Sequence, residues 1–112
     1  MSDVGGIFLA DRDVWMADRC SCRYCGLSGL GNFDVWMNLT IDHIVPSCRD
    51  GNETADNKAI ACVYCNSLKG RYTPVGISRE ERIADARRHV QGKRERWRNY
   101  FDEMMTESGS LV

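Results

Sequence analysis

Residues 39–70 read LTIDHIVPSCRDGNETADNKAIACVYCNSLKG. The stretch carries an Asp-His pair, Asp42-His43, near its start and Asn57 further on. It closes on Asn66 and Lys69, beside the Cys-x-x-Cys pair Cys62 and Cys65. A carboxylate, an amide and an imidazole together make a hard-cation ligand set with a general base. Upstream, Cys22 and Cys25 form a second Cys-x-x-Cys pair. Two such pairs supply four thiolates, the number a structural tetrahedral zinc takes. Thiolate binds Zn²⁺ at about 2.3 Å, and a two-residue spacer lets both sulfurs of a knuckle reach one ion. Residues 26–61 separate the knuckles, and zinc would tie the ends of that insert together. Cys20 also precedes Cys25 and competes with Cys22 for the ion. The two-residue spacing favours Cys22, leaving Cys20 and Cys48 as ordinary thiols.

Immediately before this stretch, Val35, Met37, Leu39 and Ile41 alternate with Trp36, Asn38 and Thr40. That alternation predicts a strand over 35–41 leading into Asp42-His43, with Pro46 ending it. Adjacent strand residues face opposite sides, so Asp42 and His43 share a site only where the strand ends or distorts. Residues 47–57 are polar and contain Gly51, which predicts a loop. Residues 58–61 suit a second short strand. A short helix from about Cys65 would carry Asn66 and Lys69 until Gly70 and Pro74 stop it. Further upstream, Phe8, Leu9, Val14, Trp15 and Met16 suggest a short helix over 8–19, followed by a knuckle and loop over 20–33.

Downstream, Ser78 and Glu81 form a capping box that opens a helix over about 78–106. Ile83, Ala86, Val90, Trp97, Phe101 and Met104 keep spacings of three, four and seven, which makes one helical stripe. Gly92 interrupts it at about 1 kcal/mol against Ala, which predicts a bend or break there. The tail from Ser108 is expected to fray. DVWM occurs at 13–16 and again at 34–37, without flanking similarity, and does not make a repeat.

The chain has 112 residues, enough for one domain over 1–112 with a core that a metal staple would help. No apolar run is long enough to span a membrane. The first residues, MSDVGGIFLADRD, carry acid where a secretory signal carries Lys or Arg. These features predict the cytoplasm of a bacterial or phage-infected cell, where thiols stay reduced and bind metal rather than pair. The net charge of −1 hides an asymmetry. Residues 1–68 carry 5 basic and 9 acidic side chains, and residues 69–98 carry 10 and 4. Residues 99–112 carry 3 acids and no bases. Arg79, Arg82, Arg87, Arg88, Lys93, Arg94, Arg96 and Arg98 give the helix a dense basic run. A solvated helix face would explain it alone. Beside a candidate hydrolytic metal site, DNA backbone contact is the better reading. His89 within that run reads as a surface histidine.

The segment over residues 20–70 resembles the HNH endonucleases, the ββα-metal or His-Me-finger nucleases. Asp42-His43-Ile44-Val45-Pro46, Asp56-Asn57 and Cys62-x-x-Cys65-Asn66-x-x-Lys69-Gly70 carry the resemblance, with Cys22-Arg23-Tyr24-Cys25-Gly26 as the first knuckle. The third family letter is often His, and here it is Asn66. The resemblance implies an α+β fold: a small ββα-metal core stapled by a four-cysteine zinc site, with the basic helix beyond it. It implies a structural role for Asn57, bracing the loop and positioning His43. It also implies cleavage that leaves 5′-phosphate and 3′-hydroxyl ends.

Phosphodiester hydrolysis needs an activated water, charge neutralisation and help for the leaving oxygen. Imidazole suits proton removal near neutral pH, which makes His43 the expected base. The carboxylate of Asp42 and the amide of Asn66 suit Mg²⁺ or Mn²⁺ rather than zinc. Lys69, one helical turn past Asn66, is placed either to touch phosphate or to sit in solvent. The expectation is therefore a DNA endonuclease with structural Zn²⁺ and catalytic Mg²⁺ or Mn²⁺. One rival is a non-catalytic zinc module that binds nucleic acid. A second is a subunit active only with a phage or host partner, as in packaging or homing systems. Trp97, Tyr100, Phe101, Met104 and Met105 are either core or a homodimer face.

Overall fold

A computed structural model describes residues 11–111 of the chain. The expected helix over 8–19 begins partly outside them. Within them, α1 spans Arg12–Ala17. The predicted strand over 35–41 is displaced. Phe33–Met37 is instead a short helix, α2, and the strand β1 covers Leu39–His43. The reason is local. The Asn32 side chain accepts from the Val35 N–H at 3.1 Å and caps a helical turn. Trp36 then packs against Trp15, with ring centroids 5.8 Å apart. An alternating pattern of four apolar residues fits either state, and the cap decides it.

β1 pairs antiparallel with β2, Lys58–Cys62, in the register Leu39 opposite Cys62 and His43 opposite Lys58. The connecting loop holds two short 3₁₀ turns, Ser47–Arg49 and Ala55–Asn57. β2 runs directly into α3, Val63–Lys69. The hairpin and helix make a ββα unit, and the α+β architecture follows. The outer edge of β2 is covered. Asp18 accepts the Ile60 N–H at 2.9 Å, and Ile60 O accepts from the Arg23 N–H at 2.8 Å. The Arg79 guanidinium bridges Asp18 and the Lys58 carbonyl, both at 2.9 Å. An edge closed in this way offers no template for strand addition.

The last helix, α4, spans Arg79–Glu107. Ser78 caps it and Glu81 reaches back to the Ser78 N–H, so the capping box is complete. Gly92 does not break it: the helix continues through that residue. Ser108–Leu111 forms a 3₁₀ turn rather than an unstructured tail. The core gathers Val14 and Trp15 of α1, Leu39, Ile44 and Ile60 around the hairpin, and Ile83, Ala86 and Val90 of α4. His89 is half-buried and lies flat on Tyr72, with centroids 4.0 Å apart. Burial and the neighbouring Lys93 and Arg96 lower its pKa.

Candidate active site and metal centre

The four-thiol cluster joins two turns that are far apart in sequence. In the first knuckle, Gly26 at φ 82° lets the chain double back, and its N–H reaches the Cys22 carbonyl at 2.9 Å. Only glycine takes that conformation without steric penalty. In the second knuckle, the Cys62 sulfur accepts from the Cys65 N–H at 3.4 Å and so caps α3. The sulfurs of Cys22, Cys25, Cys62 and Cys65 lie within 4.8 Å of one another. Cys22, not Cys20, belongs to the cluster. Cys22, Cys62 and Cys65 are buried.

Thiols this close cannot all ionise alone. Hydrogen bonds from Cys62 and Cys65 hold the Cys22 thiol far below its ordinary range. The same contacts, with Cys22 foremost, hold Cys65 far above it, and burial raises Cys25. A divalent cation removes this conflict by making every thiol a ligand. Four clustered sulfurs with no carboxylate or imidazole among them suit a structural metal such as zinc. α4 closes the cluster from outside. Arg94 Nη1 donates to the Cys65 sulfur at 3.8 Å, Lys93 donates to the Leu68 carbonyl at 2.7 Å, and Gln91 donates to the Tyr24 carbonyl. A four-thiolate zinc centre is anionic, so an arginine against it is favourable.

The second chemistry lies at the open end of the hairpin. β1 keeps its register with β2 through Asp42 and His43, the first side chain buried and the second half-buried. Asp42 turns inward and is 5% exposed. Its Oδ2 accepts from the Tyr24 hydroxyl at 2.6 Å, and the Lys69 ammonium lies 3.3 Å away. Burial raises the Asp42 pKa, against the pull of Lys69 and Tyr24. Burial also raises the Tyr24 phenol, helped by the Asp42 charge, so Tyr24 keeps its proton and donates it.

His43 turns outward. Its side chain is 32% exposed, and Nε2 sits 2.6 Å from a carboxylate oxygen of Glu53. Glu53 comes from the loop between the strands and is itself well exposed. Asn57 is buried at the base of that loop. Its amide NH₂ donates to the Val45 and Asn52 carbonyls at 3.0 and 2.9 Å, and its oxygen accepts the Val45 N–H at 2.8 Å. One side chain thus satisfies three backbone groups and fixes the residues following His43. Gly51 tightens the same loop: a Cβ there would lie 1.7 Å from the Val45 carbonyl oxygen.

Lys69 corrects an expectation. It neither reaches solvent nor is free to meet a phosphate. Its side chain is enclosed, pairing with Asp42 and donating to the His43 carbonyl at 3.0 Å. It is a positioning residue that ties the end of α3 to the end of β1. Asn66 sits one turn earlier on α3, half-buried, and its amide makes no hydrogen bond among the described residues.

Three residues escape a reading of the sequence. Tyr24 lies inside the first knuckle and is visible there only as a spacer. Glu53 lies ten residues past His43 in a polar loop, where an acid carries no signal of its own. Gly51 reads as loop composition rather than as a point of close backbone approach.

The hairpin, the following helix and the four-thiol cluster define a small ββα metal-binding unit. Residues 22–71 match the family model of HNH endonucleases. No curated protein and no solved structure matches the chain. The match suggests a nuclease-type or nucleic-acid-binding function. No helix among the described residues is long and apolar enough to cross a membrane.

Proposed function

We propose that the protein is a metal-dependent endonuclease that hydrolyses DNA phosphodiesters, with His43 as the general base. The observation that carries this reading is the His43 imidazole at the rim of the hairpin, held by Glu53 and backed by the buried Asp42 carboxylate. A neutral imidazole bonded to a carboxylate keeps its proton on the bonded nitrogen. With Nε2 facing Glu53, Nδ1 is left as the accepting nitrogen for a water proton.

The donor chemistry of Asp42 and Asn66 fits Mg²⁺ or Mn²⁺. Asp42 is a desolvated carboxylate with one short hydrogen bond and one long ammonium contact, so it keeps lone pairs for a cation. Asn66 offers an amide oxygen with no other partner among the described residues. Such a cation, when bound, supplies charge neutralisation at the phosphate and at the leaving 3′ oxygen. Lys69 and Tyr24 fix the Asp42 carboxylate, and Asn57 fixes the loop that follows His43.

Arg87, Arg94 and Arg98 recur at spacings of seven and four, which puts them on one flank of α4. We assign Arg87 and Arg98 to the DNA backbone, Arg94 being held on the Cys65 sulfur. Arg79 and Arg82 are instead spent inside the fold, on Asp18 and Asp56. Phosphate contacts of this kind weaken steeply with salt and carry no sequence information.

The test is supercoiled plasmid with the zinc-loaded protein in EDTA, Mg²⁺ or Mn²⁺, with His43→Ala alongside. Divalent-dependent nicking or linearisation by wild type, lost in the variant, supports the reading. Equal cleavage by both proteins removes His43 from the mechanism. DNA binding with no cleavage by wild type leaves a zinc-binding nucleic-acid module.

A further inference from the structure

The apolar stripe of α4 outlasts the body it packs on. Ile83, Ala86 and Val90 are buried under it, yet the same face continues as Trp97, Tyr100, Phe101, Met104 and Met105, all exposed. Trp97 alone is 61% exposed. Among the described residues, the last hydrogen bonds between α4 and the body are Lys93 with Leu68 and Arg94 with Cys65. A helix of 29 residues is about 43 Å long, so its second half extends well past these bonds. Monomeric proteins seldom leave so many large apolar side chains together in water.

The charges beside the stripe say what covers it. Lys93, Arg96, Glu103 and Glu107 lie along one flank, and their order is basic first and acidic last. In a parallel pair of such arms, like charges would face each other. In an antiparallel pair centred near Tyr100, Arg96 of each copy comes beside Glu103 of the other. In antiparallel coils the matching flanks of the two helices meet, which makes these pairs geometrically compatible.

We propose that the projecting half of α4, about residues 93–107, pairs antiparallel with that of a second copy of this chain. A groove of about 330 Å³ lined by Tyr64, Ser67, Leu68 and Trp97 lies at the root of the arm. In this register it receives Met104 and Met105 of the second copy, and methionine adapts well to an irregular groove. The five apolar residues offer about 500 Å² per copy, or roughly 1,000 Å² in total, which reaches the lower range of specific interfaces. The opposite flank, with Arg87 and Arg98, stays uncovered. The two bodies then lie at opposite ends of a shared rod. The inference stands independently of the nuclease reading.

The test is the solution mass of the full, zinc-loaded chain by light scattering from about 1 to 100 μM, a range typical of modest interfaces. The expected mass is twice the chain mass of 12.7 kDa at the upper end. Trp97→Asp with Phe101→Asp should give a monomer that keeps its helix content and zinc. Arg96→Glu alone and Glu103→Arg alone should each weaken the dimer about tenfold. Mixing those two variants should restore it as a heterodimer, because both cross-pairs then carry opposite charge. A monomer throughout the range overturns the proposal. So does a dimer insensitive to the stripe substitutions, or one whose charge variants do not complement on mixing.

Discussion

The four-thiol cluster and the hairpin end sit on the same ββα unit and are built in opposite ways. In the cluster, each pair of sulfurs comes from one short turn, and the ligand set is chemically uniform and buried except for the partly exposed Cys25. At the hairpin end, every important contact spans distant sequence: Tyr24 to Asp42, Lys69 to the His43 carbonyl, Glu53 to His43. The two regions are also linked in order. Tyr24 lies between the cysteines of the first knuckle, and Lys69 ends the helix that the second knuckle begins. Both supports of Asp42 therefore hang from the metal turns. The cluster is a foundation, and the reactive end is mounted on it.

Breaking the foundation should have the largest effect. Structural zinc contributes on the order of 10 kcal/mol to small domains that depend on it. Chelation, or Cys65→Ser, should therefore abolish the cooperative thermal transition and most α4 helicity in circular dichroism. Loss should be two-sided, taking DNA cleavage with it. A chelated protein that still melts cooperatively at the original temperature would show that the hairpin end stands without its base.

Removing His43 should do the reverse. His43→Ala takes away a half-exposed side chain whose partner is also exposed, so folding should be almost indifferent. Cleavage should fall by about 10²–10⁴-fold, the range for loss of a general base. Zinc content and melting temperature together with the plasmid assay check this. A large drop in melting temperature would mean that His43 belongs to the scaffold.

Lys69 lies between the two regions and should show it. Lys69→Met strands the buried Asp42 carboxylate, a change that typically costs about 3–5 kcal/mol. The loss should depend on pH in a definite direction. Burial already raises the Asp42 pKa above its ordinary value, and removing the ammonium raises it further. An acid raised on folding contributes stability in full below its unfolded pKa of about 3.9. That contribution disappears as pH climbs through the raised folded value. The variant should thus approach wild-type stability in acid and fall away toward neutrality. Adding Mg²⁺ at neutral pH should raise its melting temperature more than that of wild type, since the cation can replace the missing charge. A pH-independent deficit would assign the role of Lys69 to its bond with the His43 carbonyl alone.

The same contrast explains what the sequence discloses. The cluster is legible because metal knuckles are local, and residue type and spacing nearly suffice. The choice of Cys22 over Cys20 follows from spacing alone. α4 is legible through its capping box, although Gly92 misleads: about 1 kcal/mol of intrinsic preference is less than the packing and helical hydrogen bonds on either side of it. β1 starts later than the alternation suggests because Val35, Trp36 and Met37 suit a strand or a turn of helix, and a single Asn32 cap tips the balance. Lys69 is hard to read because nothing local marks a lysine as buried. Its enclosure depends on a carboxylate 27 residues away in sequence. Glu53 is invisible for the same reason.

Glu53 gives the smallest effect and the sharpest division between foundation and reactive end. Its bond to His43 is short, but the Glu53 side chain is 70% exposed, so solvent screens the pair and stability should change little. The bond's chemical role is to decide which imidazole nitrogen carries the proton. Glu53→Gln keeps an oxygen acceptor for Nε2–H while removing the charge, so the cleavage rate should fall only about threefold, within the range of lost orientation by a neutral isostere. Glu53→Ala removes the acceptor, frees the ring to turn, and should cost about tenfold or more. Both variants should melt like wild type and bind DNA at the same salt midpoint. A graded loss in rate at constant stability is what orientation through His43 requires. Equal loss in both variants would instead point to the charge of Glu53, acting directly on the cation or on the water.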